Sequence, residues 1–139
     1  MRGPRLHLES VVPFRCRVVL AARDRRFLRV TSFLLAREGF LVESTRSLED
    51  LFGMVQRHRP DVVILDGMDS LTTTARALAE IEALPYSVAV LVVAEAPEAS
   101  SPRSVRILHK WTSFDRLVQE VERLSEDAQG KGEISHGLA

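Results

Sequence analysis

Asp61-Val62-Val63-Ile64-Leu65-Asp66, followed by Gly67, is the stretch on which the fold turns. Four aliphatic residues in a row, with no polar alternation, suit a strand covered on both faces, which in a small protein means the middle of a parallel sheet. Asp66 then stands where that strand ends. Ligands and chemistry in open α/β sheets collect outside the carboxyl ends of strands, so an acid there is a candidate for function. The plainer reading is an aspartate that opens a turn before Gly67, and the rest of the chain must decide between them.

Upstream of this strand, Ser47 with Glu49 and Asp50 marks a helix start, because a hydroxyl can cap free amides and acids favour the positive end of the helix dipole. Leu48, Leu51, Phe52 and Val55 supply its buried face, and Arg59-Pro60 ends it. Phe40-Leu41-Val42 reads as a strand preceded by Gly39, a helix-stopping residue. Arg17-Val18-Val19-Leu20-Ala21-Ala22 is another buried strand, and the helix after it carries Phe27, Val30, Phe33 and Leu34 at helical spacing.

Downstream, Asp69 or Ser70 can cap a helix that runs through Ala83 with Leu71, Ala75, Leu78 and Ile81 inward, and Val88 to Ala94 is a further apolar strand. Residues 95–104 hold Pro97 and Pro102, which predicts irregular chain and a shortened or missing fourth helix. Val105 to Leu108 is a short last strand. Thr112 or Ser113 caps the last helix, with Phe114, Leu117, Val118, Val121 and Leu124 on one face.

A chain of 139 residues suits one domain. The reading gives an N-terminal extension over 1–15, the domain over 16–125 and a flexible C-terminal tail over 126–139. No apolar run approaches the ~20 residues that span a bilayer, and the first residues lack the apolar core of a secretory signal, so the expected compartment is the cytoplasm. Cys16 is the only cysteine, which excludes an internal disulfide and a cysteine metal cluster. Charge balances overall, yet the first 37 residues carry nine arginines against Glu9 and Asp24.

Strands alternating with helices imply right-handed crossovers and an α/β, flavodoxin-like doubly wound sheet of five parallel strands in the order 2-1-3-4-5. That order brings Ala22-Arg23-Asp24, Asp66 and Lys110 to one end of the sheet.

With these residues in place, residues 16 to 125 resemble the receiver domain of bacterial response regulators in two-component systems. The resemblance rests on Asp66 at its strand end, Glu38-Gly39-Phe40 after the first helix, Arg59-Pro60-Asp61 before the central strand, and Lys110 after the last strand. It implies a phosphorelay module in which the aspartate at Asp66 accepts a phosphoryl group beside a magnesium ion held by two acids at the end of the first strand. Here those two positions are Ala22 and Arg23, and only Asp24 is acidic. A metal site made of Asp24 and Asp66 alone binds magnesium weakly or not at all, because the ion wants octahedral oxygen ligands. The hydroxyl residue that contacts the phosphoryl group in the family aligns with Val93, and its partner aromatic aligns with Ile107.

The resemblance therefore implies a degenerate phosphoacceptor site made of Asp66, Lys110 and Val93, in a pseudo-receiver with no catalytic activity. The expected function is phosphorylation-independent protein interaction, with another signalling protein or a second copy as partner, no cofactor, no membrane and no small-molecule substrate. Arg23 is expected to pair with Asp66 or Asp24 as a built-in counter-charge. Arg23, Trp111 and Phe114 are the candidate interaction residues, since large aromatics left partly exposed dominate interfaces. Two alternatives stand beside this reading. One is a genuine phosphoacceptor that uses Asp66 with an atypical metal site; the other is nucleic-acid binding through Arg23, Arg25, Arg26 and Arg29, whose placement around a helix end favours a solvated face.

Overall fold

Residues 62–66 form the strand their composition demands, and every one of them is buried. The computed structural model describes residues 16–67, 71–95 and 106–138. In these, β1 (Arg17–Ala21), β2 (Leu41–Thr45), β3 (Val62–Asp66), β4 (Ala89–Ala94) and β5 (Arg106–His109) make one sheet. The helices are α1 (Arg25–Arg37), α2 (Leu48–His58), α3 (Leu71–Glu82) and α4 (Phe114–Leu138). The order is β2-β1-β3-β4-β5, and all four pairings are parallel.

Alternation along each strand sends successive side chains to opposite faces, which divides the core in two. Val18, Leu20, Val62, Ile64, Leu91 and Val93 pack with Phe27 and Leu35 of α1 and Leu117, Val118 and Val121 of α4. Val19, Ala21, Val63, Leu65 and Val92 pack with Leu51 and Val55 of α2 and Ala77, Leu78 and Ile81 of α3. Burying each such Leu or Val side chain stabilises the fold by roughly 1.5–3 kcal/mol.

Local signals explain the ends. Gly39 adopts φ 98, the left-handed geometry that closes α1. Arg59 takes a similar role after α2 with φ 47, and its guanidinium lies 4.5 Å from the centre of the Tyr86 ring. Ser113 caps α4 by accepting from the Arg116 amide at 3.2 Å. Ser47 occupies the N-cap of α2 but its side chain caps nothing; its own amide donates to Thr45 Oγ1 at 3.0 Å.

Several expectations need correction. On α1 the buried positions are Phe27, Thr31 and Leu35, whereas Val30 and Phe33 are exposed. The apolar run Phe33-Leu34-Leu35 offers more than one stripe, and the polar Thr31 disguised the one that faces the sheet. On α3, Ala75 is exposed and Ala77 takes its place in the core. The backbone of α4 stays helical to Leu138, where a tail was expected from 126. No proline follows Ser125, and glycine weakens a helix by about 1 kcal/mol without blocking it. The N-terminal extension over 1–15, the caps Asp69 and Ser70, and the fourth helix expected to be shortened or missing lie outside the described residues.

Candidate functional site

Three strand ends converge at the carboxyl edge of the sheet. Asp66 is the last residue of β3 and pairs in register with Val93 of β4. Directly after it, the Gly67 amide donates to the Val93 carbonyl at 2.9 Å. A Cβ on Gly67 would stand 3.2 Å from Val92 Cγ1, so the close approach of the two strands favours glycine. Lys110 follows β5, fixed by its amide donating to the Ala94 carbonyl at 2.8 Å. Asp24 is the N-cap of α1, where Oδ1 accepts from the Phe27 amide at 3.1 Å.

The other oxygen of Asp24 faces the site. Lys110 Nζ donates to Asp24 Oδ2 at 2.8 Å and stands 2.9 Å from Asp66 Oδ2. The Lys110 side chain is 3% exposed and that of Asp66 is 0% exposed. Phe27 and Trp111 close the remaining side of the ammonium, with ring centres 5.3 Å and 5.5 Å from Nζ. Those rings meet edge to face at 5.6 Å and 83°. A lysine head with two carboxylates and two aromatic faces around it has its charge well compensated.

The electrostatics follow from these contacts. The Lys110 hydrogen bond, then the Phe27 amide, hold the Asp24 carboxyl below its ordinary range. Burial pushes Asp66 up, and the Lys110 contacts offset only part of that. Burial acts to lower Lys110, but its bonds to Asp24 and Asp66 prevail and raise it. Neither Asp66 oxygen has a hydrogen-bond donor in acceptable geometry, so the ion pair with Lys110 is its polar support among the described residues.

The cation that bridges Asp24 and Asp66 is Lys110, and Arg23, the expected counter-charge, is exposed. Ala22 is buried with the core and its side chain brings no ligand atom. These residues do not fit magnesium: two carboxylates are available, an ammonium already stands between them, and no cluster of three metal-ligating side chains occurs among the described residues. Val93 is buried and presents only methyl groups. Trp111 is 50% exposed, whereas Phe114 is half-buried against the core, so the two expected anchors part company.

Sequence reasoning missed two features. Phe27 forms part of the cage around Lys110, which its apolar character alone did not announce. Glu120 of α4 is buried and accepts from Arg106 Nε at 2.8 Å and Arg123 Nη2 at 2.7 Å. Burial raises its pKa, but the Arg123 and Arg106 guanidinium groups outweigh that and lower it. The spacing of Glu120 and Arg123 was the available signal.

No protein-family model matches the chain, and no curated protein does. Solved structures match in fold. NtrX from Brucella abortus in complex with ADP superposes with TM-score 0.75 at 17% identity over 87% of this chain, and the chain spans 28% of that protein. A response regulator receiver protein from Burkholderia phymatum gives TM-score 0.66 at 18% identity, covering 82% of this chain and 95% of that one. A DNA-binding response regulator of the LuxR family from Staphylococcus aureus gives 0.66 at 19%, covering 79% and 98%. The chain has the fold of receiver domains.

Proposed function

We propose that this chain is a signalling module of the receiver type that works by protein–protein contact, without phosphoryl transfer to Asp66. The observation that carries the reading is Lys110, whose ammonium bridges Asp24 and Asp66 while the Asp66 side chain is fully buried. An aspartate that attacks a phosphoryl donor needs an oxygen open to in-line approach and a cation that spreads the developing charge over the phosphoryl oxygens. Asp66 offers no exposed oxygen, and its cation is already committed to two carboxylates. Val93 adds no hydroxyl to receive the product.

In this reading the module is not an enzyme, needs no cofactor and acts on no small-molecule substrate. No helix among the described residues is long and apolar enough to cross a membrane. The proposed setting is the cytoplasm, and the partner is another signalling protein or a second copy.

Magnesium titration followed by fluorescence of Trp111, the one tryptophan, tests the site directly. The wild-type chain is expected to show no sub-millimolar response, while Ala22→Asp combined with Arg23→Asp restores one. A sub-millimolar wild-type response that disappears in Asp66→Asn would overturn the reading.

A further inference from the structure

Strand β2 is an edge of the sheet, and among the described residues no strand lies outside it. The Leu41 amide donates to the Cys16 carbonyl, and the Thr45 carbonyl accepts from the Ala22 amide, each at 3.0 Å. In a parallel ladder alternate residues turn their amide and carbonyl to the same side, so Leu41, Glu43 and Thr45 face β1. Val42 and Ser44 therefore turn theirs outward. The side chains of these two residues line one wall of a groove of about 550 Å³ whose other wall is α1.

Leu28 and Phe33 give that α1 wall an apolar floor, and Phe33 is 61% exposed. Arg25 and Arg29 form its rim, and Ser32 contributes a buried hydroxyl with no hydrogen-bond partner among the described residues. Every charged residue of α1 is an arginine. Free strand edge, apolar floor and uniformly positive rim occupy the same place.

We infer that β2 accepts an extended, acidic segment of a partner protein as an added sixth strand. Backbone groups of that segment would bond to Val42 and Ser44, and its alternate side chains would enter the groove. Residues two apart on a strand are about 6.6 Å apart, and Arg25 and Arg29 are one helical turn, about 6 Å, apart. Two acids at alternate positions, followed by an apolar residue over Phe33, fit this spacing. A nucleic acid would answer the arginines but would leave the apolar floor and the strand edge unused. A second copy would set arginine rim against arginine rim. The inference deepens the interaction reading by naming a surface and a partner chemistry, and it holds whether or not Asp66 accepts a phosphoryl group.

Fluorescence anisotropy of the full chain with a labelled, capped Glu-Thr-Glu-Thr-Val-Thr peptide tests it, with the lysine counterpart and a short DNA strand as controls. The acidic peptide is expected to bind, to weaken about tenfold or more in Arg29→Glu, and to lose binding in Ser44→Pro. The Ser44 amide points out of the sheet, so proline there removes only a free donor. Amide exchange on the wild-type chain gives a reading that needs no variant: the Val42 and Ser44 amides should slow when the peptide is added. Equal binding of the lysine peptide, undiminished binding by Ser44→Pro, tighter binding of DNA, or unchanged exchange at both amides would each overturn the inference. Phosphorylation of Asp66 would sink the phosphate-independent reading and leave this one standing.

Discussion

At 2.8 Å from Asp24 and 2.9 Å from Asp66, the Lys110 ammonium holds together two carboxylates of opposite behaviour. Removing it by Lys110→Met leaves Asp66 buried without a partner, so the substitution should cost about 3–5 kcal/mol in urea unfolding. Asp66→Asn should behave otherwise, because it removes the charge that burial disfavours. The folded pKa of Asp66 is raised, so its contribution is present below the unfolded value and lost as pH rises through the folded one. The stability of Asp66→Asn relative to wild type should therefore increase as pH rises from below the ordinary aspartate value, a trend that unfolding curves across the acid range will check. Asp24 works in the opposite sense: its lowered pKa gives stability that is lost as pH falls. Asp66 and Lys110 were legible from strand ends and topology. That Lys110 bridges Asp24 as well as Asp66 was not, because sequence order does not say where the backbone aims a cation near a strand end. The fixed backbone after β5 aims Lys110 inward.

Helix α1 shows how an element can be legible in kind and misread in phase. Its existence and its end at Gly39 followed from pattern and cap, but the buried stripe runs through Phe27, Thr31 and Leu35. A threonine in the stripe and a phenylalanine outside it reverse what hydropathy predicts. Leu35→Ala should cost about 2–5 kcal/mol by opening the core. Phe33→Ser should stay within about 0.5 kcal/mol of wild type, since the ring is 61% exposed, with the Arg37 guanidinium 5.9 Å from its centre. Thermal melts of the two variants side by side decide the phase of the helix. The Glu120 cluster between β5 and α4 belongs to this scale as well. It joins an edge strand to the last helix through a buried acid, a pairing across 14 positions that no local pattern reveals.

Across the whole molecule, five strand runs, most of them separated by helical patterns, decided the class of fold, because parallel strands need crossovers and the crossovers have one hand. The sheet order then brought Asp24, Asp66 and Lys110 together as expected. What the order could not give is the state of the site, since closure depends on side chains such as Phe27 and Trp111 meeting over Lys110. The proposed independence from phosphate rests on that closure. Intact-mass spectrometry after incubation with magnesium and acetyl phosphate tests it most directly. The account predicts an unmodified chain under conditions that phosphorylate a working receiver run in parallel. A phosphoryl adduct on the wild-type chain that is absent from Asp66→Asn would contradict it.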